Sequence, residues 1–425
     1  MKKLLSLLAL AALLPVSANA DVLKNVNLKG DIQTITSDVN HNMVVAVDPI
    51  TGENVKNYNE GTSVRVLAGL SADLVEDVTA NLMFQYANVW GNDVSTGKTV
   101  NQYWNDVRLV EANVVLHNLF CCLEATVGRQ FYGDEDSAVM YIGPNHYNAE
   151  FNGLTNSLDA AKVTYGDDVK ALTLIAGRIK MVDDDLVDPT IVVDEVDATL
   201  IGGDFKLNLT DALKLQAYAY NFSDMKFTDH TVFPALVYPV DGNGGFYGAK
   251  LGFDGEAVRM AAEYARNYGF RNGLFKENKD TGHMVKVDLA TDIKAVTARG
   301  AFLYANEGFW ALGNYTPGLL IGHRLGGDIF DYSNNGVAMF NLGFDVKPAD
   351  KWTVSLDGYS FQDHRMDHSS TWEGDVTVKY AHNEYVELFA GAGYAKYTSW
   401  DGTDYNRDNY NKDNVKGQLG MLIKF

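Results

Sequence analysis

Any chemistry in this chain has to come from single charged residues set among alternating apolar ones, because no clustered motif is present. The nine histidines show no HExxH and no paired-ligand spacing, and there is no GxSxG or phosphate-binding glycine loop. His364 and His368 are four apart but fall in a loop. The acid runs Asp134-Glu135-Asp136 and Asp183-Asp184-Asp185 lack a calcium-loop pattern and read as solvated loop. Cys121 and Cys122 are adjacent, which is neither a disulfide framework nor a metal-ligand spacing. No cofactor, metal or catalytic residue is expected; the enzymatic alternative is a Ser–His pair at a barrel rim.

What does recur is a basic residue out of phase with a greasy face. Arg65, Arg259, Lys286 and Arg299 have this phase clearly. Lys29, Lys162, Lys206 and Lys250 share it, while Arg108 and Arg178 lie in stretches apolar on both faces in part. Acidic residues in the same phase are Asp31, Glu111, Glu124, Asp204, Glu263, Asp288 and Asp375. An arginine fork engages a carboxylate at two points, so a ladder of such residues suits an anionic solute in transit. The competing role is pairing with nearby Asp and Glu to stiffen a polar interior.

The elements that must position these charges are amphipathic strands. In Val64, Val66, Ala68 and Leu70 the apolar residues alternate with Ser63, Arg65, Gly69 and Ser71. After a tight connection over Asp73 to Asp77, Val78, Ala80, Leu82, Phe84 and Tyr86 alternate with polar partners, which makes an antiparallel hairpin. The C-terminal stretch VKGQLGMLIKF puts Leu419, Met421, Ile423 and Phe425 on one face, with Leu422 breaking the pattern. An amphipathic strand ending in Phe, with Gln418 and Gly420 before it, looks like the signal by which barrel-assembly machinery recognises outer-membrane barrels.

Eighteen strands are read this way, starting near residues 26, 62, 78, 104, 121, 157, 169, 197, 213, 245, 256, 282, 293, 336, 351, 371, 385 and 414. Short turns such as Gly166-Asp167-Asp168, Asn208 to Asp211, Thr291-Asp292 and Ala381 to Glu384 alternate with longer polar loops. Alternating short and long connections are the mark of an outer-membrane barrel, with periplasmic turns and external loops. Eighteen strands of ~11 residues need about 200 residues, which the chain supplies twice over. Tyr86, Trp90, Tyr218, Tyr220, Tyr264, Tyr268, Trp352, Trp372, Tyr394 and Trp400 gather near strand ends and suit the girdles at the lipid boundary.

Targeting and composition agree. Lys2 and Lys3, the apolar run Leu4 to Leu14 and Ala18-Asn19-Ala20 read as a cleaved secretory signal over residues 1–20, leaving 21–425 as the barrel. Beyond it no apolar run approaches the ~18 residues of a spanning helix, so crossing a membrane requires a closed barrel. A formal net charge of −20 argues against nucleic acid as partner.

Residues 104–186 carry a resemblance. A strand ending in Gly128-Arg129-Gln130, a loop opening on Tyr132-Gly133-Asp134, and a strand with Ser157, Asp159 and Tyr165 resemble the alginate-export porin family. The resemblance implies a monomeric eighteen-stranded barrel with an arginine-lined lumen, and it places Arg129 in or near the constriction. The acidity of this chain departs from a pore for an acidic polysaccharide. The expectation is therefore an all-β, antiparallel, up-and-down barrel in a bacterial outer membrane, among lipid and lipopolysaccharide. It would pass small hydrophilic or anionic solutes passively, oligosaccharides among them. The alternatives are a dedicated exporter of an anionic polysaccharide, and a structural or adhesin barrel with a plugged lumen.

Overall fold

The computed structural model describes residues 24–40, 44–47, 54–56, 61–90, 107–120, 122–135, 137–148, 155–183, 194–229, 236–239, 243–269, 281–306, 308–313, 315–320, 336–362, 371–396 and 413–425. Residues 1–20, Cys121, Asp136, Asp184, Asp185, His364, His368 and Trp400 lie outside the described residues.

The chain forms one closed antiparallel barrel. Its wall begins with β1 (Lys24–Asn40), β2 (Gly61–Val75), β3 (Val78–Trp90), β4 (Val107–Leu119), β5 (Leu123–Gln130) and β6 (Leu158–Gly166). It continues through β7 (Lys170–Asp183), β8 (Asp194–Asn208), β9 (Leu213–Asp229), β10 (Gly244–Asp254), β11 (Val258–Gly269) and β12 (His283–Ile293). It closes with β13 (Val296–Asn306), β14 (Gly336–Ala349), β15 (Trp352–Gln362), β16 (Thr371–Ala381), β17 (Val386–Lys396) and β18 (Asp413–Lys424). Each strand pairs with its neighbours in sequence, and β18 pairs with β1. A short strand, Leu236–Pro239, lies along the outer end of β9, outside this ring of eighteen.

Closure is continuous from Asp31 opposite Lys424 to Asn40 opposite Val415. The Gly30 amide donates to the Phe425 carbonyl at 2.8 Å, and the Phe425 amide to the Gly30 carbonyl at 3.0 Å. Only glycine fits there: φ is +153°, and a Cβ would lie 2.1 Å from the Leu67 carbonyl oxygen. With both edges paired, every wall strand satisfies its backbone within the ring, as hydrocarbon demands.

The strands start within three residues of the positions read from alternation. One turn moves. Thr291 and Asp292 stay in the ladder opposite Ala298 and Thr297, and the reversal falls on Lys294, at φ +59°. The Asp292 carboxylate accepts from Thr297 at 2.5 Å and pairs with Arg259, which holds both residues in strand conformation.

Leu28, Leu174, Ile201, Leu342 and Leu419 are exposed on the outer face, joined by Tyr264, Tyr268, Trp352 and Trp372. A continuous apolar cylinder of this kind has no place in water and suits hydrocarbon. Tyr218 and Tyr220 do not belong to the girdle: they face inward and are buried. Their phase is that of Gln216, while Leu215, Ala217 and Ala219 point outward.

Candidate functional site: a lumen crossed by two loops

At the end of the barrel that carries the long connections, apolar inward side chains of the wall are covered by loop residues. Two connections, seen at 131–135 and 137–148 after β5 and at 308–313 and 315–320 after β13, fold into the barrel and pack on it. Val139, Met140, Ile142, Phe309, Trp310 and Leu320 are buried against the apolar inward side chains of the wall. Phe222, Phe246 and Trp310 meet with ring centroids 5.4–5.8 Å apart. The two loops also bond to each other: the Tyr141 amide donates to the Leu312 carbonyl at 2.7 Å, and the Leu312 amide to the Val139 carbonyl at 2.9 Å.

Polar anchors fasten each loop to the wall. Tyr132 donates to Asp204 Oδ2 at 3.0 Å and lies 3.0 Å from the Tyr220 hydroxyl. Burial, with Tyr220 and Asp204 beside it, pushes the Tyr132 hydroxyl well above the ordinary tyrosine range. On the second loop, the Leu319 and Leu320 amides donate to Glu373 Oε1 at 2.6 and 2.7 Å, and the Leu319 amide also reaches Asp375 Oδ2 at 3.0 Å.

The tip of the first loop crosses to β1 and β2. Arg65, with no exposed surface, donates to Asp31 Oδ1 from Nη2 at 2.9 Å and from Nη1 to the Asn145 carbonyl. Gln33 donates to the same carbonyl at 3.2 Å and accepts from the Tyr147 amide at 2.9 Å. The Tyr147 ring packs on Phe389 at 5.2 Å, and Lys379 Nζ lies 3.5 Å above it. Burial pushes the Tyr147 hydroxyl up from its ordinary value, with Glu387 adding to the shift.

Between the first loop and the wall β6–β11 lies a cavity of about 320 Å³. Lys162, Lys206 and Lys250 face it, with Asp204, Glu263 and the loop residue Asp134. Register explains the grouping: Lys206, Gln216, Lys250, Glu263 and Lys286 lie opposite one another in turn across β8 to β12. Lys206 stands 3.9 Å from Asp134. Among the described residues, Lys162 and Lys250 form no ion pair. Cations facing an open cavity without carboxylate partners can hold an anion or steer one past.

The residues singled out from sequence take different places. Arg65 anchors the loop tip. Lys286 donates to Asp288 at 2.8 Å and sits 4.3 Å from the Tyr315 ring of the second loop. Arg299 reaches Asp345 at 2.8 Å and Asp357 at 3.0 Å. Arg259 grips Asp292 with both Nη atoms, at 2.8 and 3.1 Å, at the turn end of its strand. Arg108 faces inward opposite Gln85, Glu111 pairs with Lys29 at 2.8 Å, and Glu124 lies 3.0 Å from His117 Nδ1.

Two expectations about direction are corrected. Arg129 lies opposite Ala112, on the face of exposed Val114 and Val127, and grips Asp159 at 2.7 and 2.8 Å. It points away from the lumen. Arg178 shares the face of exposed Leu172 and Leu174 and grips Asp197 at 2.5 and 2.6 Å, also outside. A charge on the outer face is tolerated near the end of a strand, where the cost of lipid contact falls toward zero. Sequence reading missed Tyr132, His146, Glu373 and the loop amides as site-builders; no periodicity marks a loop residue.

No protein-family profile matches the sequence, and no characterised protein matches it in sequence. Solved structures do match its shape. The Pseudomonas aeruginosa outer-membrane protein OprD superposes with a TM-score of 0.57 over 96% of each chain at 9% identity. Pseudomonas aeruginosa OccK3 gives 0.59 over 97% of this chain and 99% of its own, at 10% identity. Acinetobacter baumannii OccAB1 gives 0.59 over 95% and 97%, at 11% identity. The fold is thus a closed eighteen-stranded barrel resembling the OprD and Occ proteins, and the alginate-export family is not singled out.

Proposed function

We propose that this protein is an outer-membrane diffusion channel that passes small hydrophilic solutes down their gradient and favours anions. The observation that carries this reading is the lumenal cavity faced by Lys162, Lys206 and Lys250. Its volume of about 320 Å³ is at the lower end for a small-molecule site, the scale of a single small ring and not of a sugar chain. The polysaccharide-exporter reading is therefore the weaker one. Lys206 and Lys250, two strands apart with Gln216 between them, offer an anion more than one weak contact, which lets it enter and still leave. Arg65, Arg259 and Arg299, each held by carboxylates, shape the lumen more than they bind the solute. Arg108, Glu111 and Glu124 complete its polar lining.

A plugged structural barrel is the second reading, and one observation favours it: two loops fill the external half of the lumen with an apolar core. Liposome swelling separates the two. Vesicles holding the purified barrel should swell in small neutral and anionic solutes, faster in the anionic ones of equal size. Equal swelling with and without protein would leave the plugged barrel standing. The surroundings follow from the same reading. The outer face lies in lipid, the external rim among lipopolysaccharide headgroups, and the Phe425 strand is the handle for the assembly machinery.

A further inference from the structure

The tip of the first inward loop is fastened by a titratable group. His146 Nδ1 lies 2.8 Å from Glu135 Oε2 on its own loop, and Nε2 lies 3.4 Å from Asp31 Oδ2 on β1. The His146 amide also donates to Glu135 Oε1 at 2.7 Å. A neutral imidazole has a single N–H, so it can donate to one acid and must turn a lone pair on the other. Only the imidazolium serves both.

The charged surroundings point the same way. The groups facing His146 are Asp31 on β1, Arg65 on β2 and Glu135 on its own loop. Beyond the adjacent Tyr147 stand Lys379 of β16 and Glu387 of β17. Arg65 and protonated His146 balance Asp31 and Glu135, two charges against two. Loss of the imidazole proton leaves an excess negative charge in a partly buried cluster. Burial works against the His146 cation, but the hydrogen bonds to Asp31 and Glu135 outweigh it and hold its pKa above the usual histidine value. Burial likewise opposes charge on Glu135, and the bonds from His146 overcome it and hold that carboxyl below its usual range.

We infer that His146 is a pH-sensitive latch: as an imidazolium it adds to the Arg65, Gln33 and Tyr147 contacts that hold the loop tip across the lumen, and its deprotonation loosens the tip and widens the passage. The inference rests on the channel reading above. Its sign follows from linkage. The latched state carries the raised pKa, so latching is at full strength below the free histidine value of about 6.5 and fades as pH rises through the latched value. One proton gives a change in the released-to-latched ratio of at most about tenfold per pH unit across that window.

The test is single-channel recording in planar bilayers between about pH 5 and pH 9 for the wild type, His146→Gln and His146→Arg. The wild type should pass from a lower to a higher conductance state as pH rises. His146→Gln should show the high-pH behaviour throughout, and His146→Arg the low-pH behaviour. A wild-type profile flat in pH, or a His146→Gln profile identical to the wild type, would overturn the latch while leaving the channel intact. Silence of every variant at every pH would instead count against the channel. The latch is then decided by ¹⁵N-histidine NMR in micelles, with the His146 signal assigned by its loss in His146→Gln. A ring that titrates above the free histidine value of about 6.5 supports it, and one that titrates at or below that value overturns it.

Discussion

Arg65 shows what a buried cation contributes in this lumen. It has no exposed surface, and its partner Asp31 is nearly as enclosed. Arg65→Met would leave Asp31 with a weaker share of its countercharge, at a cost of about 3–5 kcal/mol. Thermal unfolding in detergent should show the loss, and the double change Arg65→Met with Asp31→Asn should recover most of it. The cavity lysines are a different case, since Lys162 and Lys250 hold no partner among the described residues that a substitution would strand. Lys206→Ala with Lys250→Ala should move the reversal potential in a salt gradient toward cations. Arg129→Gln with Arg178→Gln should not move it, because both side chains sit outside the wall. At this scale alternation was a good guide for Arg65, Lys206, Lys250, Arg259, Lys286 and Arg299. It left Arg178 open, because the strand is apolar on both faces where Ile175 and Ile179 meet the loop core. It had nothing to say of His146, whose role depends on a crossing of the lumen.

Among elements, the strands and their order were legible, because apolar and polar residues alternate along them and a one-residue slip would reverse both faces. The loops were not. Their inward packing uses isolated apolar residues such as Met140, Phe309 and Trp310, which have no repeating spacing. Gly318 lets the second loop turn in against the wall: its φ is +81°, and a Cβ would lie 2.7 Å from Glu373 Oε1. Gly318→Val should unseat the amides of Leu319 and Leu320 from Glu373, raising conductance and exposing the loop to protease without unfolding the wall. The wall itself has the opposite sensitivity. Leu419 is 63% exposed on the outer face of β18. Leu419→Arg places a charge against lipid, at a cost of up to about 2–4 kcal/mol if it falls near the midplane. The folded fraction on an unheated gel should fall.

For the whole molecule, the ring of eighteen strands and its likeness to OprD and Occ proteins account for the shape. The two loops decide what the shape can do. Their apolar core narrows the lumen at the end that carries the long connections, and the lysine-faced cavity lies beside the first of them. A narrow bore is therefore expected. Current through a planar bilayer containing the purified protein tests this most directly. It should rise in discrete, uniform steps, small for a barrel of this strand number, and carry anions in preference to cations. A membrane that stays silent at every applied voltage would contradict it and leave a sealed barrel in its place.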